Sequence, residues 1–302
     1  MLKSLGVADE ILNEGCHMSE VAFWNPKKAD RNKSQSDGIE RTSFVPDVTV
    51  AARYEHEVTI HQGRIERILE ENLRLYSERS IVRSTHFVDF HLDKAGDNEH
   101  PLVVEVEEEK SDGSRKRRSV RAKHLVGADG AHSGVRRRMG LKLEGETTDH
   151  IWGVVDFVAE TDFPDIRKRS AIHSDAGSVM VIPRERIYSG HYLTRLYVQV
   201  KDDEVSADVD VVGKSGLSHQ KSREKRAAIT LEYIFEQARR VFAPYDIRVK
   251  EGTDVDWWAA YQIGQRMTPE FSMKDDEGVE RVFIVGDGKE TCANANLLPW
   301  LM

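Results

Sequence analysis

Two apolar runs in this chain end in the same way. HLVGADG at 124–130 and RVFIVGDG at 281–288 each stop at glycines flanking one aspartate. In open α/β sheets, ligands sit beyond the carboxyl ends of the strands, where glycine lets the backbone approach closely. A carboxylate at that point is placed to accept from sugar hydroxyls. Gly127, Asp129, Gly130, Gly286 and Asp287 are therefore candidate nucleotide-binding residues. Ser133 is a good N-cap for a helix over Val135 to Met139, and its first-turn N–H groups could meet a phosphate. Glycine turns with a capping aspartate are the bland alternative, which the repetition of the motif weakens. Arg136 to Arg138 either decorate that helix or turn one residue toward a ligand.

Composition narrows the class. The 302 residues can bury a sizeable core, and 39% hydrophobic with 32% charged residues describe an ordinary globular protein. A formal charge of −8 gives no basic field for nucleic acid or an anionic membrane. No run reaches the roughly 18 apolar residues of a membrane span. Two cysteines, Cys16 and Cys292, cannot build a disulfide framework, so a reducing, cytoplasmic setting is expected and no metal site is.

Along the chain, Leu2, Leu5, Val7, Ile11 and Leu12 suggest an N-terminal helix stripe. MSEVAFW at 18–24 reads as a strand, GIERTSF at 38–44 as its hairpin partner, and the polar residues between them as a loop. Ile65, Ile68, Leu69, Leu73 and Tyr76 share one face of a helix from Gln62 to Ser77, supported by a Glu70–Arg74 pair. Strands follow at 81–92 and 102–109, with a hairpin tip at Asp112-Gly113 and a solvated RKRR flank at 115–118. From 151 onward, well-formed strands suggest a mainly antiparallel sheet. The polar stretch 201–221 reads as a surface loop. A second helix carries Ala227, Leu231, Ile234, Phe235, Ala238, Val241 and Phe242 on one face and stops at Pro244. Residues 253–267 read as a further strand, with Trp257 and Trp258 as core and rim of the sheet.

GADGAHSGVRRRMG resembles the second, DG fingerprint of the flavoprotein aromatic hydroxylases, and RVFIVGDG the start of their GD fingerprint. Around them CHMSEVAFWNP, HEVTIHQGRIERIL, IWGVVDFV, TDFPDIR, IHSDAGSVMVIPRE, RLYVQV and WWAAYQIGQR resemble the phenol 2-monooxygenase branch, over about residues 1 to 287. The resemblance implies a mixed α/β fold of the p-hydroxybenzoate hydroxylase type. A partial, doubly wound FAD-binding domain (1–150) would interleave with an antiparallel-sheet substrate domain (151–265), the chain returning to the FAD domain at 266–302. It implies FAD, with NADPH or NADH as reductant, O2 and a small phenolic substrate. Gln62, Asp129 and Asp287 match residues that contact FAD or pyridine nucleotide. Arg184 in VIPRE and Tyr197 in RLYVQV match the active-site arginine and tyrosine. From the residues alone, Tyr197 shares the more polar face of its strand with Arg195 and Gln199. A strand tyrosine is often merely structural, and an arginine after a proline at a strand end usually makes a surface ion pair.

The resemblance stops at both ends. No βαβ unit with G-x-G-x-x-G comes before the first helix, and after Asp287 the chain reads GKETCANANLLPWLM instead of the family's continuation. The expectation is a truncated chain that holds FAD loosely and is impaired as a monooxygenase, or a non-catalytic remnant acting at most as a binding module. The strand at 281–285 would then keep an open edge, through which a homodimer could form.

Overall fold

The computed structural model describes residues 2–27, 38–93, 99–200, 229–288 and 290–292. Side-chain alternation organises its main sheet. In β12 (Tyr192–Val200), Leu193, Leu196, Val198 and Val200 are buried, while Arg195, Tyr197 and Gln199 point to the other face. The same sheet contains β2 (Glu20–Pro26), β3 (Ile39–Pro46), β9 (Glu144–Thr161), β10 (Arg169–Ser174), β11 (Gly177–Arg186) and β14 (Val255–Met267). Its order runs β14-β9-β12-β11-β10-β2-β3, with β13 (Ile247–Val249) paired to β9. The pairs β9–β12, β12–β11, β11–β10 and β2–β3 are antiparallel, whereas β2 and β10 run parallel.

The chain divides into two compact units. Among the described residues the larger takes 2–80 and Asp149–Gln262, and the smaller takes Ile81–Thr148 and 263–292. In the larger unit the final helix, Leu231–Phe242, lays Ile234, Phe235, Ala238, Val241 and Phe242 on the buried face of the sheet. Thr230 caps it by accepting from the Tyr233 N–H at 3.2 Å. Gly153 on β9 makes this approach feasible, because a Cβ there would lie 2.6 Å from Ile234 Cγ1. Ala227 and the expected loop at 201–221 lie outside the described residues, as does most of the loop after Pro26.

The N-terminal helix, α1, spans only Ala8–Glu14. Leu2 and Leu5 of the expected stripe are exposed in the preceding turns, and Val7 and Ile11 alone are buried. They pack with Ile68 of α2 (Gln62–Tyr76), next to the short β1–β4 ladder (Cys16–Met18 with Glu57–Thr59). The apolar stripe of α2 is mostly uncovered: Ile68 is buried, but Leu69, Leu73 and Tyr76 are exposed. The Glu70–Arg74 ion pair forms at 2.8 Å.

In the smaller unit β5 (Thr85–Leu92), β6 (Leu102–Glu109) and β7 (Arg115–Ala122) form an antiparallel meander. β5 starts four residues later than its sequence suggested, with Ile81 and Val82 exposed before it. The RKRR flank is solvated, Arg115 and Arg117 pairing with Glu107 across the ladder. A second sheet joins β15 (Ser272–Lys274), β16 (Glu280–Ile284) and β8 (Leu125–Gly127). Phe90, Leu102, Val104, Val282 and Ile284 form the core there with Val135 of α3 (Gly134–Arg138). β16 is flanked on both sides, by β15 and β8, so the open edge expected at 281–285 does not exist and the homodimer through it loses its basis. The final described strand, β17 (Glu290–Cys292), pairs with the end of β14.

Candidate functional site

Both turns, Gly-Ala-Asp-Gly at 127–130 and Gly-Asp-Gly at 286–288, belong to the smaller unit and share one sheet end. β8 and β16 run parallel with Gly127 opposite Ile284, and Val285 N–H donates to the Gly127 carbonyl at 2.9 Å. The chain leaves both strands in the same direction, toward Asp129 and Asp287. A Cβ on Gly127 would sit 2.8 Å from Val135 Cβ, so this glycine lets α3 pack on the strand. Gly130 (φ +78) and Gly286 (φ +60) hold left-handed turns that favour glycine. The segment after β16 is a single 3-10 turn, Gly286–Gly288, and not a continuation of the strand.

The two aspartates differ in character. The Asp129 carboxylate accepts from Ser133 Oγ, from Gly134 N–H at 2.6 Å and from Val135 N–H at 3.1 Å. Burial raises its pKa, but the Ser133 hydroxyl and these N–H groups outweigh it and hold the carboxyl below the ordinary aspartate value. Ser133 Oγ accepts the next N–H, from Arg136, at 2.9 Å. The first-turn donors expected to meet a phosphate are thus already engaged inside the protein. The arginine run is also internal in part: Arg136 is buried with Nη2 on the Ala131 carbonyl, and Arg138 pairs with Asp89. Asp287, in contrast, is exposed.

The other candidate residues lie in the larger unit. Gln62 opens α2, exposed, with its amide donating to Glu66 Oε1 at 3.3 Å. His61 caps the helix by accepting from Gly63 N–H at 3.1 Å. Beside this helix start is an open cleft of about 1050 Å³ lined by His61, Arg64, Arg67, Glu185, Arg186 and Tyr188. Glu185, next to Arg184 in the chain, lines the same cleft as His61 at the start of α2.

Arg184 is not the surface residue its proline neighbour suggested. An irregularity in register between Pro183 and Arg186 brings its guanidinium inward, 4% exposed, onto Asp156 Oδ2 at 3.3 Å and Glu185 at 2.9 and 3.0 Å. Burial pushes Glu185 up, but the Arg184 hydrogen bonds hold it below the usual carboxylate range. Asp156 is buried and also accepts two bonds of 2.7 Å from Arg195. Burial opposes the Arg195 charge, and Asp156 more than restores it, raising its pKa. Arg195 Nη1 lies 3.5 Å from the Tyr197 hydroxyl, and its guanidinium stands 5.5 Å over the Trp257 ring. The Tyr197 ring packs on Met18, Met180 and Ile182. Tyr261 stacks obliquely on Trp257 at 6.2 Å, and burial raises its pKa. Trp257 and Trp258 are both exposed, neither one a core residue.

The structure therefore brings Arg184 and Tyr197 into one network through Asp156 and Arg195, leaves Gln62 outside it with its amide on Glu66, and sets Asp129 and Asp287 at one sheet end of the smaller unit. Sequence reasoning missed Asp156 as the centre of the first. Its signal was a lone aspartate inside the apolar strand IWGVVDFV.

The family model of the FAD binding domain matches residues 1–291. The chain belongs to this family. It is 34% identical over 293 residues to the flavin-dependent oxygenase ucdD of Aspergillus ustus, covering 96% of this chain and 42% of that protein. It is 33% identical over 295 residues to the phenol 2-monooxygenase fsqG of Aspergillus fumigatus, again 96% of this chain and 42% of the relative. The chain thus spans less than half the length of these relatives. The crystal structure of p-nitrophenol 4-monooxygenase PnpA from Pseudomonas putida superposes with a TM-score of 0.62 at 18% identity, over 96% of this chain and 60% of that one. The fold is the mixed α/β fold of the FAD-binding aromatic hydroxylases. No helix among the described residues is long and apolar enough to cross a membrane.

Proposed function

We propose that the chain is the flavin- and substrate-binding part of an FAD- and NAD(P)H-dependent monooxygenase that hydroxylates a phenolic ring. The observation that carries this reading is the outward face of β12. There a tyrosine hydroxyl and a charge-fixed arginine stand between apolar side chains and an exposed tryptophan, a wall suited to a flat ring with one polar oxygen. The fit to FAD is uneven. Asp287, exposed at a glycine turn, can accept from a sugar hydroxyl, and Gln62 offers an exposed amide. Asp129 does not fit as a direct ligand, because its oxygens hold α3. When bound, FAD supplies the redox chemistry that activates O2. The protein's own part is to seat the ring, orient its oxygen through Tyr197 and keep water away from it.

The test is titration of the purified chain with FAD, read by quenching of flavin fluorescence. Saturable quenching is expected, with Asp287→Ala weakening it about tenfold, the worth of one charge-assisted hydrogen bond, and Tyr197→Phe leaving it intact. A folded chain that takes up no FAD would refute the flavin reading and favour a non-catalytic binding module. Phenol-dependent NADPH oxidation that yields a hydroxylated ring tests the reaction itself.

A further inference from the structure

We infer that Arg195, together with Tyr197, receives the ionised hydroxyl of the phenol ring, and that Arg184 is a positioning residue that does not touch it. This rests on the substrate reading above. A guanidinium has five N–H donors in a rigid fork, so which groups are engaged decides what it can still bind. Arg184 turns Nε and Nη2 to Glu185 and Nη1 to Asp156, and is 4% exposed. It has no face to present to a ligand.

Arg195 is placed differently. Nε and Nη2 form a bidentate pair with Asp156, both at 2.7 Å, which fixes the plane of the fork. Its side chain is 26% exposed, and Nη1 points to the Tyr197 hydroxyl at 3.5 Å. That separation is at the long limit of a hydrogen bond, so a ligand oxygen can compete for the donor. Trp257 lies under the guanidinium and Tyr261 beside Trp257, giving a ring an aromatic edge to pack against. Among the described residues, the charged group in contact with Arg195 is Asp156 on β9, which Arg184 on β11 shares. Asp156 is held between two guanidinium groups. A phenol seated here would release its proton to solvent and keep the electron pair on oxygen, with Arg195 Nη1–H and Tyr197 O–H donating to it.

The experiment uses 4-nitrophenol, whose ionised form absorbs in the visible, titrated into the purified chain across pH without flavin. A cation and a donor at hydrogen-bond range are expected to lower the apparent pKa of the bound phenol by about one unit. Arg195→Met is expected to abolish this shift, Arg195→Lys to retain part of it, and Tyr197→Phe to reduce it. A general loosening of the fold would weaken binding without this pattern. Should Arg195→Met fail to fold, Arg195→Gln and the wild-type shift decide the matter. A wild-type chain that binds the probe without a shift, a folded wild-type chain that does not bind it, or a folded Arg195→Met or Arg195→Gln chain with the full shift would each overturn the inference. Flavin uptake without any shift would sink this assignment alone. A shift without flavin uptake would leave it standing and sink the flavin reading.

Discussion

Asp129→Ala separates two roles that a single aspartate can play at a glycine turn. In the structure its carboxylate receives Ser133 Oγ and the N–H groups of Gly134 and Val135, the start of a helix whose Val135 closes the smaller unit's core. Removing a helix cap of this kind costs about 1–2 kcal/mol. The smaller unit is of a size at which each kcal/mol lowers the melting temperature by about 4–8 °C. Asp129→Ala should therefore melt earlier by at least that amount in thermal circular dichroism, with no nucleotide present. The pH dependence follows from the depressed carboxyl. Its contribution is complete above the unfolded aspartate value of about 4 and is lost as pH falls through the lower folded value. The difference between wild type and variant should thus be full at pH 7 and shrink below about pH 4. If Asp129→Ala melted like wild type while losing FAD, the capping argument would be refuted and the aspartate would be a ligand contact.

Gly153→Ala places a methyl 2.6 Å from Ile234 Cγ1 and should cost about 1–3 kcal/mol in urea denaturation, with Ile234→Val restoring part of it; an unchanged midpoint would contradict the packing. Asp156→Ala strips one carboxylate from two guanidinium groups, one of them buried, and should cost about 3 kcal/mol, checked by the same denaturation curves; a loss below about 1 kcal/mol would show that the network relaxes.

Much of the sheet was legible because its signal is local. Alternation in RLYVQV and the apolar face of the last helix are properties of a few consecutive residues, and both hold. The paired glycine turns were legible for the same reason, and β8 and β16 do end side by side. What escaped depended on partners far along the chain. Arg184 follows a proline near a strand end, which locally means surface, yet a register irregularity and Asp156, 28 residues away, bury it. The stripe on α2 was read correctly as a pattern, but nothing in 62–76 tells whether another element covers it, and within the described residues only Ile68 is buried. Asp129 was ambiguous in principle, since an aspartate four residues before a serine cap can hold the helix or a ligand with the same atoms.

The division of labour between the two sides of β12 has an evolutionary consequence. Leu196 and Val198 answer to the packing of the final helix, while their neighbours Arg195, Tyr197 and Gln199 answer to whatever occupies the opposite side. Because strand side chains alternate, selection can rewrite the second set one residue at a time without disturbing the first. Asp156 is the exception, a residue on the variable side that is anchored as firmly as the core. Relatives of this chain should therefore exchange residues around this aspartate far more freely than they exchange the aspartate itself.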